Sequence, residues 1–234
     1  MVDERRVEES IEILSNAAAK YDNPTIAFAG GKDSTLVLYL ARQSVPKDAD
    51  FPFDIILIDT TYQFAETYNF IDNIMRKWGL DYDKIKNEEA LNKNINPFDN
   101  EKFECCNQLK TNALKQAIEE REIDALIEGI RWDEHVARGK NIGEENNPVA
   151  IGEYLREDPE HVRVYPIQNW SEDEVWEFTK ANDIPYNPLY DRDYRSIGCW
   201  PCTEPVIDDS LPERSGRDQD KEKVLERLRE LGYM

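Results

Sequence analysis

The chain has 234 residues, of which 40% are hydrophobic and 33% charged, and its formal net charge is −20. This length predicts one globular domain over 1–234, with a cysteine-bearing C-terminal segment and helix from about residue 195. The charge argues against binding to bare nucleic acid, because phosphate neutralisation needs surplus Lys and Arg. A local basic groove stays open, and the acidic surface is either solvated or built to meet a basic partner.

The lengths of the apolar stretches predict where in the cell the protein resides. No window approaches the length of apolar sequence that crosses a bilayer, and residues 1–6 lack the apolar stretch of a signal peptide. We therefore expect a cytoplasmic protein without membrane contact.

The N-terminal half alternates between helical and strand-like patterns. An amphipathic helix spans 4–20, and a buried strand over 25–29 ends at a glycine-rich break. Helical spacing resumes at Leu36, and a second strand over 54–59 leads to a helix through 64–78. This alternation predicts the α/β class, as a three-layer, Rossmann-like parallel sheet with helices on both faces.

The C-terminal half is less regular. The predicted elements are a helix near 106–121, strands at 125–127 and 162–165, a helix opened by the capping box Ser171–Glu174, and a terminal helix over 218–233. The polar stretch 139–160 shows little periodicity, so we predict a mobile loop beside the active site.

The glycine-rich break has the composition of a phosphate-binding loop. Glycines allow backbone amides to approach an anion, and a helix N-terminus adds favourable partial charge. Gly30, Gly31 and Ser34 suit that geometry, and Lys32 supplies a cation. The spacing is not that of a Walker A loop. An ordinary tight turn is the competing interpretation.

The six residues from Ala29 to Ser34, Ala-Gly-Gly-Lys-Asp-Ser, resemble the S-G-G-K-D-S PP-loop of the adenine nucleotide α-hydrolases. Other segments resemble the PAPS reductase group, especially the small subunit of bacterial ATP sulfurylase. These segments are Asn23-Pro24, Ile58–Thr60, Ile95–Phe98, Gly129–Glu134, Arg163–Trp170, Pro188–Tyr190 and Ser196–Pro201. The resemblance implies an adenine nucleotide α-hydrolase-like fold whose loop binds ATP, with Mg²⁺, and releases pyrophosphate.

The same resemblance implies a set of site residues. The nucleotide-binding positions are Ala29, Gly30, Gly31, Lys32, Asp33, Ser34, Asp59 and Gly129, and the catalytic ones are Lys32, Asp33, Ser34, Arg131 and Arg138. Asp59 would hold Mg²⁺ or nucleotide hydroxyls, or else cap a helix. Arg131 and Arg138 would clamp phosphate or sulfate, or else form surface salt bridges.

One position departs from the PP-loop pattern. Ala29 stands where the family usually has serine. Loss of that hydroxyl removes a hydrogen bond worth about 1 kcal/mol, which weakens phosphate binding without abolishing it.

The four cysteines form a vicinal pair, Cys105 and Cys106, and a C-x-x-C pair, Cys199 and Cys202. Thiols in a cytosolic protein more often bind metal or catalyse than form disulfides. A vicinal pair suits an iron–sulfur cluster better than tetrahedral zinc. The arrangement resembles the CC…CxxC motif of APS reductases, which implies a [4Fe–4S] cluster. Zinc, or plain buried or redox cysteines, are the alternatives.

The sequence departs from the motifs of two related enzyme classes, and these departures limit which reaction it predicts. Sulfonucleotide reductases use a cysteine in a C-terminal E-C-G-[IL]-H motif, whereas this chain ends Leu231-Gly232-Tyr233-Met234 and has no fifth cysteine to act as nucleophile. ATP sulfurylase small subunits have leucine where Cys202 stands. An ATP-cleaving loop combined with a reductase-type cluster resembles the ATP pyrophosphatases of DNA phosphorothioation and, more loosely, the iron–sulfur tRNA thiolation enzymes.

The resemblance therefore predicts an iron–sulfur ATP pyrophosphatase in sulfur metabolism. It would form AMP and pyrophosphate and adenylate an oxyanion, namely a nucleic-acid phosphate that then accepts sulfur. A partner subunit is implied, together with a cysteine desulfurase or other sulfur donor, and nucleic acid would be reached through a basic partner or a local groove. The alternatives are a sulfate adenylyltransferase-like enzyme making APS, an APS/PAPS reductase-like protein, and a noncatalytic scaffold subunit that binds a nucleotide or an iron–sulfur cluster.

Overall fold

The computed structural model describes residues 2–46, 48–133, 148–208 and 210–231. The helices are α1 (Glu4–Lys20), α2 (Lys32–Gln43), α3 (Ala65–Trp78), α4 (Glu88–Asn92), α5 (Lys102–Cys106), α6 (Ala113–Glu120), α7 (Glu172–Ala181) and α8 (Gln219–Glu230). The strands are β1 (Pro24–Ala27), β2 (Asp54–Ile58), β3 (Asp83–Ile85), β4 (Ala125–Ile127), β5 (Pro148–Ala150), β6 (Glu153–Glu157) and β7 (Glu160–Val164). Within these residues, every helix is too short or too polar to span a bilayer.

The chain separates into two compact units, each made from two segments. Unit 1 comprises Met1–Ile56 and Arg121–Tyr186, and unit 2 comprises Leu57–Glu120 and Asn187–Met234. The single domain expected from the chain length, with its appendage from about residue 195, stays a prediction.

Unit 1 is built on a sheet with the strand order β2-β1-β4-β7-β6-β5. β1 pairs in parallel with β2 and β4, and β4 pairs in parallel with β7. Ile26 lies opposite Ile55 on one side and Ile127 on the other, and all three are buried. Apolar runs of this kind are typical of parallel strands covered on both faces. The predicted α/β class is confirmed.

The sheet is parallel, as predicted, except at one edge. β6 runs antiparallel to both β5 and β7. Residues 148–160, which we assigned to the loop 139–160, therefore form a hairpin, whereas 139–147 lie outside the described residues. The apolar pattern is weak here because the buried position Glu153 is polar and binds Lys20 at 2.5 Å.

Two helices of unit 1, α1 and α7, begin at polar side chains that cap them. Asp3 accepts a hydrogen bond from the Arg5 amide at the start of α1. Ser171 and Glu174 form the predicted capping box at the start of α7. Each cap satisfies amides that have no partner within the helix.

Unit 2 contains a feature that the sequence pattern did not indicate. The helix predicted near 106–121 starts earlier, at Lys102, and its middle turn, Asn107–Asn112, is a π-helix. A π-helix directly after the Cys105-Cys106 pair is notable because such turns concentrate at functional sites. The terminal helix predicted over 218–233 is confirmed as α8.

Candidate functional site

The predicted phosphate loop joins β1 to α2 in unit 1. Gly30 has φ of 71°, a conformation that glycine adopts at little cost. Gly31 caps α2 and offers no side-chain acceptor to the amides of the first turn. Amides at a helix N-terminus and the helix dipole favour negative charge, so this end has the features expected of the predicted phosphate loop. The Ser34 hydroxyl, predicted to contact nucleotide, donates to the Gly31 carbonyl at 3.0 Å.

A buried chain of alternating charges lies at this helix end. Lys32 Nζ is 3.0 Å from Asp33 Oδ2, and Arg131 Nε donates to Asp33 Oδ1 at 2.7 Å. Lys32 is 2% exposed and Arg131 is fully buried. Both cations therefore sit in a low-dielectric setting where the Asp33 carboxylate compensates them.

The other side of Arg131 is also bound. Its Nη1 donates to Asp133 Oδ1 at 2.6 Å, and Asp133 Oδ2 accepts from the Glu172 amide at 2.9 Å, in the first turn of α7. Arg131 therefore forms ion pairs, but it is fully buried, so the competing interpretation of a surface salt bridge is wrong for this residue. Its role as a phosphate or sulfate clamp stays a prediction. Arg138, predicted as its partner in a phosphate clamp, lies outside the described residues, as does Glu134.

Gly129 allows the chain after β4 to pack directly on the start of α2. A Cβ atom on Gly129 would lie 2.8 Å from both the Asp33 carbonyl carbon and the Ser34 amide nitrogen. Both are backbone atoms, so a larger residue would displace the loop. This gives a structural reason for glycine at a position predicted to line the nucleotide site.

Asp59 lies in unit 2, directly after β2, and is 4% exposed. Its Oδ1 accepts from the Thr61 amide at 2.8 Å and the Tyr68 hydroxyl at 2.5 Å, and its Oδ2 is 3.6 Å from Lys86 Nζ. Burial and the nearby Asp59 carboxylate raise the pKa of Tyr68 above its ordinary value. The N-cap of α3 is Phe64, so the helix-cap interpretation of Asp59 is wrong.

The four cysteines come together in unit 2. Cys105 and Cys106 end α5, while Cys199 precedes a single 3-10 turn and Cys202 is its last residue. All four are buried and line one pocket, and none forms a disulfide. The other residues lining the pocket are Thr60, Tyr62, Pro97, Lys102, Leu109, Lys110 and Lys221.

Backbone hydrogen bonds fix the shape of the C-x-x-C loop. The Trp200 amide donates to the Tyr62 carbonyl at 2.8 Å, and the Cys202 amide donates to the Cys199 carbonyl at 3.0 Å. The Asp218 amide donates to the Cys202 carbonyl at 3.1 Å. The loop is thus held from the chain after β2 and from the start of α8.

The thiols differ in their electrostatic surroundings. Burial raises the pKa of the Cys105 thiol to about 12. Burial also acts to raise the pKa of Cys199, but the charges of Lys110 and Lys221 and a contact with Thr60 outweigh it, so that pKa is lowered. The Thr60 Oγ1 to Cys199 Sγ distance is 3.3 Å.

The cysteine pocket contains the type of donor atom that an iron–sulfur cluster binds. Among the described residues, no group of three or more His, Cys, Asp or Glu side chains could hold a metal ion as placed. A four-iron cluster instead takes each thiolate at a different iron, so its ligands surround a pocket and not a point. The pocket offers four cysteine sulfurs with the side chains of Lys102, Lys110 and Lys221 beside them, and these four cysteines are the residues that would hold such a cluster.

The sequence interpretation missed these lysines. Lys102 and Lys110 each stand four residues from Cys106, a spacing that places side chains on one helix face and could have identified them. Lys221 carried no such signal, because it reaches the pocket from a separate helix.

Comparisons with known proteins agree with this architecture. Residues 23–205 match the phosphoadenosine phosphosulfate reductase domain. Sulfate adenylyltransferase subunit 2 of Pseudomonas fluorescens (strain Pf0-1) is 32% identical over a match covering 96% of this chain and 79% of the relative. The phosphoadenylyl-sulfate reductase of Candida auris, solved as a phosphate complex, superposes with a TM-score of 0.66 at 21% identity, over 85% of this chain and 90% of that one.

A third similarity is to the U34-tRNA thiolase of Methanococcus maripaludis, solved with its [4Fe–4S] cluster. Its TM-score is 0.54 at 18% identity, over 96% of this chain and 74% of that one. At these identities both solved structures show a shared fold. The family match, by contrast, spans most of the sequence, and the chain belongs to the phosphoadenosine phosphosulfate reductase domain family.

Proposed function

We propose that the chain is an ATP pyrophosphatase of sulfur metabolism, which cleaves ATP between the α and β phosphates, releases pyrophosphate and transfers the adenylyl group to an oxyanion. AMP leaves when a second nucleophile displaces it from the adenylated oxyanion. The observation that carries this proposal is the buried chain of Lys32, Asp33 and Arg131 at the glycine-opened start of α2. The name of the sulfate adenylyltransferase relative supports the use of ATP in sulfur chemistry.

The proposed reaction is an in-line displacement at the α-phosphorus. An acceptor oxygen forms a bond to that phosphorus, the bond to the bridging oxygen breaks, and the electron pair leaves with pyrophosphate. Lys32 and the first amides of α2 stabilise the charge on pyrophosphate. Arg131 acts through Asp33, because its guanidinium binds that carboxylate while Asp33 also binds Lys32.

ATP would enter as its Mg²⁺ complex. Asp59 is the carboxylate proposed to contact the metal or the nucleotide hydroxyls. Its Oδ1 is occupied by Thr61 and Tyr68, which leaves Oδ2, 3.6 Å from Lys86, as the oxygen able to exchange its contact.

The second part of the proposal concerns the cysteines. Cys105, Cys106, Cys199 and Cys202 would hold a [4Fe–4S] cluster, and zinc is the competing occupant. Such a cluster supplies a site for binding sulfide, or a structural bond between α5 and the C-x-x-C loop. Support comes from the shared pocket and its lysines, and from the fold shared with the cluster-bearing thiolase.

A nucleic-acid phosphate is the proposed acceptor. The pairing of an ATP loop with a cysteine pocket suggests adenylation followed by sulfur insertion, with a cysteine desulfurase or similar protein as sulfur donor. The net charge of −20 means that a basic partner subunit would have to bring nucleic acid close. The word "subunit" in the relative's name supports a partner of some kind.

Sulfate is the second candidate acceptor. It is favoured by the 32% identical relative, whose name is sulfate adenylyltransferase subunit 2. One assay distinguishes the two candidate acceptors, because the true acceptor stimulates pyrophosphate release and the other does not. A reductase-like activity would need a nucleophilic cysteine besides the four proposed to hold the cluster, and this sequence has four cysteines in all. A noncatalytic scaffold would bind ATP without turnover.

The test of the loop is Lys32→Ala. We expect pyrophosphate release to fall to background, while circular dichroism shows an unchanged fold. Lys93→Ala is the matched control, since Lys93 is exposed and pairs with Glu89 within one helix. Undiminished release by the Lys32 variant would remove the proposed role of the loop.

A further inference from the structure

The C-terminal helix is joined to the cysteine pocket at its first turn. Asp218 precedes α8, and its Oδ1 accepts from the amides of Asp220 and Lys221, each at 3.0 Å. The backbone amide of Asp218 donates to the Cys202 carbonyl at 3.1 Å. One residue therefore starts the helix and holds the C-x-x-C loop.

Lys102 completes this junction from the other side of the pocket. Its Nζ lies 3.3 Å from Asp218 Oδ2 and 3.6 Å from Cys202 Sγ. A single ammonium group thus contacts both the helix cap and a thiol.

Lys221 adds a second cation from α8 itself. It is 1% exposed and lines the cysteine pocket. Burying an ammonium group costs free energy unless negative charge lies nearby. Lys221 therefore places a second positive charge beside the four cysteine sulfurs.

We propose that the first turn of α8 helps to stabilise an iron–sulfur cluster bound by the four cysteines. Asp218 positions Lys102, and the start of the helix places Lys221 beside the cluster. This inference rests on the cluster assignment made above. Both lysines act on the cluster through their charge, and Asp218 is the residue that positions Lys102. Because a reduced cluster carries one more negative charge than an oxidised one, the two cations favour reduction and raise the midpoint potential.

The experiment uses the full chain, reconstituted anaerobically with ferrous iron and sulfide. The variants are Lys102→Met, Lys221→Met and Lys102→Arg, with Lys223→Met as the matched control. Lys223 lies on the same helix, but it is exposed and pairs with Asp220. Iron and sulfide per chain, iron loss to a chelator, and the midpoint potential in a dithionite titration are measured for each protein.

We expect Lys102→Met and Lys221→Met to shift the midpoint to more negative potential and to lose iron about tenfold faster, the lower end of outer-shell effects. Lys102→Arg keeps the charge and should stay near wild type, as should Lys223→Met. If Lys221→Met fails to fold, the comparison of Lys102→Met with Lys102→Arg tests the proposal, because the Lys102 side chain is partly exposed.

Two failures are distinguishable. If wild type and Lys223→Met both take up no iron, the cluster assignment is wrong and this inference falls with it. If wild type loads normally but the Lys102→Met and Lys221→Met proteins keep its potential and its rate of iron loss, the inference alone is overturned.

Discussion

Arg131 Nε lies 2.7 Å from Asp33 Oδ1, although 98 residues separate the two side chains in the sequence. The other oxygen of Asp33 binds Lys32 at 3.0 Å. Asp33 therefore holds two buried cations at the start of α2. Arg131, in the chain that follows β4, fixes the loop through this contact.

Replacing Arg131 by methionine should destabilise the protein by about 3 kcal/mol. The substitution leaves Asp33 without one of its partners in a buried setting, which is the costly way to break an ion pair. Urea unfolding measures the loss. Arg192→Met is the control, since that arginine is mostly exposed in its pair with Glu66 and should cost about 1 kcal/mol or less. Equal stability of the two variants would contradict the role assigned to Arg131.

Ala29→Ser should strengthen nucleotide binding. Ala29 is exposed and adjoins Gly30, so a hydroxyl there can reach a bound phosphate without displacing the core. One hydrogen bond of about 1 kcal/mol corresponds to roughly fivefold tighter binding. Calorimetric titration with a nonhydrolysable ATP analogue measures the change. Ala19→Ser, at an exposed position of α1, should leave affinity unchanged, and an equal gain there would argue against a loop-specific effect.

Gly129→Ala should impair both the loop and the fold. The added methyl group would meet backbone atoms of Asp33 and Ser34 at 2.8 Å, and overpacking of this kind costs about 1–3 kcal/mol. ATP affinity should fall together with the melting temperature. Gly79→Ala provides the comparison, because its φ of 66° strains the variant while no atom lies within 4 Å. That variant should lose stability and keep its affinity for ATP.

Sequence patterns anticipated the main elements of unit 1 because parallel strands buried on both faces read as uninterrupted apolar runs. They failed at β6, where buried Glu153 interrupts the run and is compensated by Lys20, 133 positions away. They also failed at Asn107–Asn112, since the apolar period of a π turn differs little from that of an α-helix over one turn. Cys105 and Cys199 were found through their motif, whereas Lys221 depends on a tertiary contact that no local spacing encodes.

Stability should fall in mildly acidic solution because of His161. Burial and the charge of Arg163 lower the pKa of this histidine from 6.5 to about 4. The neutral ring is fixed by Arg163 Nε at 3.2 Å and by the Pro159 carbonyl at 2.7 Å. The folded state disfavours protonation of His161. The contribution of the neutral ring to stability is therefore complete above pH 6.5 and is lost as the pH falls towards 4.

Between pH 7 and pH 5 this group should cost about 2 kcal/mol of unfolding free energy. Urea unfolding at both pH values checks the prediction, with His161→Gln as the comparison because it cannot take up a proton. The difference between the two pH slopes isolates the histidine from the many surface carboxylates. Parallel slopes would show that His161 titrates alike in the folded and unfolded states.

The most direct test of the central claim is the identity of the nucleotide products formed from Mg-ATP under anaerobic conditions. Reactions contain wild type or Lys32→Ala, alone, with sulfate, or with DNA and candidate partner subunits. Cleavage between the α and β phosphates predicts pyrophosphate from wild type in an amount equal to AMP plus adenylylated acceptor. The true acceptor should stimulate its release, and Lys32→Ala should form none of these products. ADP and phosphate, or ATP recovered intact under every condition, would contradict the proposed function.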